Sequence, residues 1–236
     1  MRVPVILPLA FLVGMLAGCG EPNPGDVDEG PAESAGGTTL VAALGDSITA
    51  GSPLWDPDPA IRERIGPALD ERSQFEYWVT ESDPAVEFRN CGVFGERTDE
   101  IALRLGDCAD GADALMIQGG INDIAQGRPI ADAAADLRAM VRAGQDLGLP
   151  VTLVDVLPWN NGHPAADRPI EQLNREIERI GAEEDVPVLA FHETLEDPGE
   201  PGTMRADLTI DGDHPSVAGY RLLAERAFGP LALPDR

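Results

Sequence analysis

The chain has no lysine. All 17 basic residues among its 236 are arginine, and they face 42 aspartates and glutamates, giving a formal net charge of −25. So acidic a surface disfavours nucleic acid and other polyanions as partners, and it bears on solubility rather than on substrate. Histidine is scarce as well: His163, His192 and His214 are the only candidates for imidazole chemistry. Cysteine is limited to Cys19, Cys91 and Cys108, and Cys91 and Cys108 have no second cysteine at ligand spacing, which argues against a metal site. No internal repeat occurs.

What is present begins with an export signal. Met1 to Gly18 carries one positive charge, Arg2, then an apolar run from Val3 to Ala17 and small residues before Cys19. This is a secretory signal, too short and too lightly flanked for a lasting transmembrane helix. Leu16-Ala17-Gly18-Cys19 resembles the lipobox of bacterial lipoproteins, which implies that Cys19 becomes the first mature residue and carries lipid. The alternative is plain secretion with cleavage near Gly18. Either way the mature protein is expected outside the cytoplasm, on the outer face of the cell membrane or secreted. Any membrane contact would run only through the anchor on Cys19.

Residues 19–37 are rich in proline, glycine and acids and cannot bury enough surface to fold, so they read as a flexible tether. Its acids would be repelled by an anionic membrane and hold the domain away from it. Residues 38–236 have the length of one domain, enough to bury a core without metals. With Cys19 lipidated, Cys91 and Cys108 form an even pair that suggests a disulfide worth about 3 kcal/mol; two buried free thiols are the alternative.

Within the domain, apolar strand-like runs at Leu40–Leu44, Val86–Asn90, Ala114–Gln118, Val151–Leu157 and Val188–Phe191 alternate with helical patterns. The latter lie near Ala60–Leu69, Thr98–Leu105, Ile130–Leu147, Pro169–Glu184 and Ser216–Phe228. Alternation with near-continuous apolar strands predicts a parallel sheet covered by helices on both faces.

The first run ends in Gly45-Asp46-Ser47-Ile48-Thr49, a tight turn at the C-terminal sheet edge, where open α/β sheets place their chemistry. Alone it also fits an ordinary turn with a helix cap. A nucleophilic Ser47 needs a base, an orienter and oxyanion donors. His214 lies in Asp211-Gly212-Asp213-His214-Pro215, where Asp211 is near enough in sequence to reach the imidazole Nδ1 and leave Nε2 as base. His192 is the runner-up base, and His163 reads as a rim residue. Asn90-Cys91-Gly92-Val93-Phe94-Gly95 and Gly119-Gly120-Ile121-Asn122-Asp123 follow the second and third strands, supplying backbone and amide donors at the same edge.

These four ordered blocks resemble the SGNH (GDSL-type) hydrolase family, over essentially all of Thr38 to Gly229. The resemblance implies a flavodoxin-like three-layer α/β/α sandwich around a five-stranded parallel sheet. It implies Ser47 as nucleophile, His214 as base and Asp211 as its orienter. The oxyanion hole would be the N–H groups of Ser47 and Gly95 with the Asn122 side chain, Gly92 competing for the role of Gly95. Asp46 and Asp123 are expected to support neighbouring loop amides, and Asp213 to face water. No metal or cofactor is implied.

The expected activity is hydrolysis of short acyl or O-acetyl esters, including those on carbohydrate, through an acyl-enzyme. The alternatives are an O-acyltransferase on cell-envelope glycans, a lysophospholipase- or lipase-like acylhydrolase, and a silent binding lipoprotein. The absence of a large apolar lid disfavours long-chain lipase action. Phe94, Trp159 and Asn160 are the candidate substrate-binding residues, with Trp55, Asn161 and Arg168 in nearby loops. The partner is a small-molecule or glycan ester, and a monomer is expected.

Overall fold

The computed structural model describes residues 37–234. The signal, Cys19 and nearly all of the tether lie outside the described residues. Five strands form one sheet: β1 (Thr39–Gly45), β2 (Val86–Gly92), β3 (Ala114–Ile117), β4 (Val151–Val154) and β5 (Val188–Leu189). All pairings are parallel, in the order β2-β1-β3-β4-β5. This doubly wound order reverses direction between β1 and β3, and such a switch point opens a crevice beyond the carboxyl ends of the strands. The register brings those ends level, pairing Gly45 with Gly92 and Leu44 with Ile117.

Among the described residues there are ten α-helices, beginning with α1 (Ser47–Ala50), α2 (Pro59–Ile65), α3 (Phe75–Ser82), α4 (Thr98–Ala102) and α5 (Leu105–Ala109). They continue with α6 (Ile121–Ala125), α7 (Ile130–Asp146), α8 (Asp167–Glu184), α9 (Phe191–Leu195) and α10 (Val217–Arg226). The central strands β1, β3 and β4 are largely apolar because both faces are covered, and alternate residues go to opposite cores. Ala42, Leu44, Leu115, Ile117 and Leu153 pack with Leu137, Met140 and Val141 of α7 and Leu173 and Ile177 of α8. Val41, Ala43, Met116 and Val154 pack with Phe75, Phe191, Tyr220 and Phe228.

Several boundaries differ from the sequence reading, each for a local reason. The strand expected to reach Leu157 stops at Val154 because the Asn174 side chain of α8 takes both the N–H and the C=O of Val156, at 2.7 and 2.8 Å. β5 is only two residues long, since Phe191 already belongs to α9. The helix expected over Thr98–Leu105 is two helices. At the break Arg104 donates to the carbonyls of Gly45 and Cys91 and to the Glu96 carboxylate. α2 ends at Gly66, whose φ of 60° suits glycine, and a short 3₁₀ turn follows it. A disulfide joins Cys91, in β2, to Cys108, in α5.

Candidate active site

Asp46 leaves β1 and accepts the Ile48 N–H through Oδ1 at 2.9 Å, which caps α1 and makes Ser47 its first residue. Gln118 holds the turn from β3, its Oε1 accepting from the Asp46 N–H and the Thr49 hydroxyl. A Cβ at Gly45 would lie 2.2 Å from Thr49 Oγ1 and 2.6 Å from that same Gln118 oxygen, so only glycine fits beneath the turn. From below, the buried Tyr220 hydroxyl of α10 donates to the Ile48 carbonyl at 2.9 Å. Asp46 is itself fully buried, and burial pushes its carboxyl up to about 6 against the hydrogen bonds it accepts.

The loop before α10 brings the remaining partners. Ser47 Oγ lies 3.0 Å from His214 Nε2, and His214 Nδ1 lies 2.8 Å from Asp211 Oδ2. An ionised carboxylate only accepts, so Nδ1 carries the proton and Nε2 is left to receive one from the hydroxyl. The other Asp211 oxygen accepts the backbone N–H groups of Asp213 and His214, at 2.9 and 2.8 Å, which fixes the turn. Burial tends to raise the Asp211 carboxyl, but its bonds from His214 and the turn amides outweigh this and hold it below the usual carboxylate range. Ser47 and His214 are both buried, at 5% and 7% exposure, so their bond is shielded from competing water.

The three groups expected to form the oxyanion hole differ in how they are engaged. Neither the Ser47 nor the Gly95 N–H has an acceptor among the described residues. The Asn122 amide donates to the Glu96 carbonyl at 3.0 Å and reaches Asp46 Oδ2 only at 3.5 Å. Gly92, the alternative to Gly95, donates its N–H to the Asn90 side chain, and a Cβ there would meet Ala50 N at 2.1 Å. It is a packing glycine between β2 and α1. Asp123 accepts from the Thr98 N–H and hydroxyl and from Arg128, tying the loops after β2 and β3 together.

A cleft of about 100 Å³ opens here, lined by Ser47, Ile48, Phe94, Ile121, Asn122, Ala125, Trp159, Asp213 and His214. Phe94 and Trp159 are thus at the cleft. Asn160 is not: its amide donates to the Met204 carbonyl and accepts the Met204 N–H, so it braces a loop. The expectation that Asp213 faces water is also corrected, since Asp213 Oδ1 accepts from Trp159 Nε1 and Asn161 Nδ2 at 2.5 and 2.7 Å. His192 borders a separate hollow with Asp167 and Glu171, and His163 bonds Asp167. Trp55 stacks under Arg62, and Arg168 lines another hollow. The sequence reading missed the turn-holding role of Gln118, which closes a strand beside the Gly119-Gly120 turn, and the contacts of Asp213, which sits next to the histidine.

The family model for GDSL-like lipases and acylhydrolases matches residues 43–222. No curated protein matches the chain in sequence. Among solved structures, a member of the lipolytic protein G-D-S-L family from Veillonella parvula is 20% identical with a TM-score of 0.64, over 81% of this chain and 96% of that one. A variant of Axe2, an acetyl xylan esterase from Geobacillus stearothermophilus, is 22% identical with a TM-score of 0.61, over 81% and 94%. The lipase/acylhydrolase from Enterococcus faecalis is 23% identical with a TM-score of 0.61, over 84% and 99%. These likenesses carry the three-layer α/β fold. With more than half its length under the family model, the chain belongs to the GDSL-like lipase/acylhydrolase family.

Proposed function

We propose that the protein is a serine ester hydrolase for short acyl groups, O-acetyl groups foremost. The observation that carries this is the unbroken path from Ser47 Oγ through His214 to Asp211, with 3.0 and 2.8 Å links, at the wall of a small cleft. In this reading His214 Nε2 takes the hydroxyl proton as Ser47 attacks the ester carbonyl. The N–H groups of Ser47 and Gly95 and the Asn122 amide meet the developing oxyanion. His214 returns the proton to the departing alcohol, leaving an acyl-enzyme, and then activates water to release the acid. Asp211 holds the imidazole tautomer and stabilises the imidazolium. The short apolar wall of Ile48, Ile121 and Ala125 supports a short acyl group. The likeness to an acetyl xylan esterase points the same way.

The test is hydrolysis of p-nitrophenyl acetate through dodecanoate by the wild type and Ser47→Ala. Release of p-nitrophenol that disappears in the variant, and falls with chain length in the wild type, is the expected result. Activity that survives the substitution would overturn the role of Ser47. We also propose export as a lipoprotein anchored through Cys19, which the Cys91–Cys108 disulfide supports, since such bonds persist in oxidising compartments. Replacing Cys19 with serine should release the protein from the membrane fraction, and unchanged fractionation would refute the anchor.

A further inference from the structure

The loop leaving β4 and the loop carrying His214 are about fifty residues apart in sequence yet joined by side chains. Asn161 donates to the Asp211 carbonyl at 2.9 Å and to Asp213 Oδ1 at 2.7 Å. The Trp159 indole N–H donates to the same Asp213 oxygen at 2.5 Å. Gly162 lies against the indole, where an added Cβ would fall 2.2 Å from Trp159 Cε3. The ring is therefore held at its edge and against backbone before any ligand arrives. Asp213 Oδ2 has no protein donor among the described residues, although Asp213 lines the cleft.

Direction matters here. In the reaction proposed above, His214 Nε2 hands its proton to the departing alcohol, so the alcohol portion lies on the His214 side of the cleft. That side is walled by Trp159 and Asp213, with the Phe94 ring centroid 6.0 Å from that of His214. From this placement we infer that Trp159 and Asp213 form a preorganised subsite for a hydroxyl-bearing ring, the sugar of a carbohydrate ester. The inference rests on the ester-hydrolase reading for its orientation. An indole wall accepts the apolar face of such a ring, and an acceptor-only carboxylate takes its hydroxyls. A plain alkyl alcohol would bring no hydroxyl to Asp213 Oδ2, and an anionic headgroup would be repelled by Asp213 and Asp211 together. Because the ring is already fixed, little ordering cost opposes binding.

Two measurements test the subsite. In full-length Ser47→Ala protein, the indole N–H resonances are followed as methyl β-D-xylopyranoside is added. Trp55, Trp78 and Trp159 give three signals, and Trp159→Phe identifies the relevant one. A saturable shift of the Trp159 signal, weakened about tenfold or more by Asp213→Asn, is expected from losing a hydrogen bond to a charged group. No shift of that signal, or equal binding by Asp213→Asn, overturns the subsite. In the wild type, the ratio of kcat/KM for an acetylated methyl xyloside to that for ethyl acetate should fall about tenfold on Asp213→Asn, chiefly through KM. An unchanged ratio also overturns the proposal. If no hydrolysis depends on Ser47, the esterase reading fails, while the titration still decides whether the sugar binds.

Discussion

Replacing Asn122 with alanine probes the oxyanion geometry through one side chain. Its amide makes one ordinary hydrogen bond, to the Glu96 carbonyl at 3.0 Å, and one at the outer limit, to Asp46 Oδ2 at 3.5 Å. The second N–H is thus poorly engaged at rest and free to strengthen toward an oxygen that gains charge. Loss of one such donor costs about 10²–10³ in kcat, or roughly 2.7–4 kcal/mol. The ester carbonyl before attack carries far less charge, so KM should change little. Glu96 loses a donor but keeps Arg104 at 2.6 and 2.8 Å, so the Gly95 loop stays in place. The melting temperature should fall by only a few degrees, as for one half-buried hydrogen bond. Asn122→Asp sharpens the test, because it preserves shape while replacing the donor by a carboxylate beside Asp46. It should be less active than alanine. Steady-state kinetics on p-nitrophenyl acetate with a melting curve for each variant suffice. An alanine variant turning over within threefold of wild type, or an aspartate variant more active than alanine, would remove Asn122 from the oxyanion site.

Other outcomes follow from the same structure. Asp211→Asn should lower kcat by on the order of 10³–10⁴ through loss of the correct His214 tautomer, with the fold kept; a loss under tenfold would contradict the assignment. Glu76 is buried with neither carboxylate oxygen hydrogen-bonded to a neighbour, and burial holds its carboxyl well above the usual glutamate range. The folded chain therefore prefers the protonated form, and stability is lost as pH rises from the unfolded value toward the folded one. Glu76→Met should raise the melting temperature at pH 8 and much less at pH 4, and a pH-independent difference would sink the argument. Reducing the Cys91–Cys108 bond, which closes a 17-residue separation and contributes about 3 kcal/mol, should lower activity before circular dichroism changes, because Cys91 lies at the end of β2, just ahead of the Gly95 loop. Simultaneous loss of both signals would separate the bond from the site.

The central sheet was legible because β1, β3 and β4 are buried on both faces and therefore read as nearly continuous apolar runs. α7 was legible from its repeat of buried Ala133, Leu137, Met140, Val141 and Gly144. Helix α3 was not, since Phe75-Glu76-Tyr77-Trp78 mixes aromatics with acid and its N-cap Gln74 makes no side-chain cap bond. The end of β4 depends on Asn174, about twenty residues downstream, and no local pattern announces that. In the site, the short-range relations were visible: Asp211 and His214 share one turn, and the blocks fall at strand ends. The exchanged expectations for Asn160 and Asp213 were not, because both depend on contacts between loops more than forty residues apart.

The ties between those loops bear on what limits turnover. Trp159, Asn161, Asp211 and Asp213 clamp the wall beside His214, and the disulfide and Arg104 brace the loop after β2. Where lids must open, the opening rate commonly sets kcat, and such motions slow in a viscous medium. Bracing from both sides disfavours such a gate among the described residues. Turnover on a small acetyl ester should therefore be indifferent to added sucrose or glycerol beyond their effect on substrate diffusion, and a steep dependence of kcat on viscosity would reveal a moving segment that these ties do not restrain.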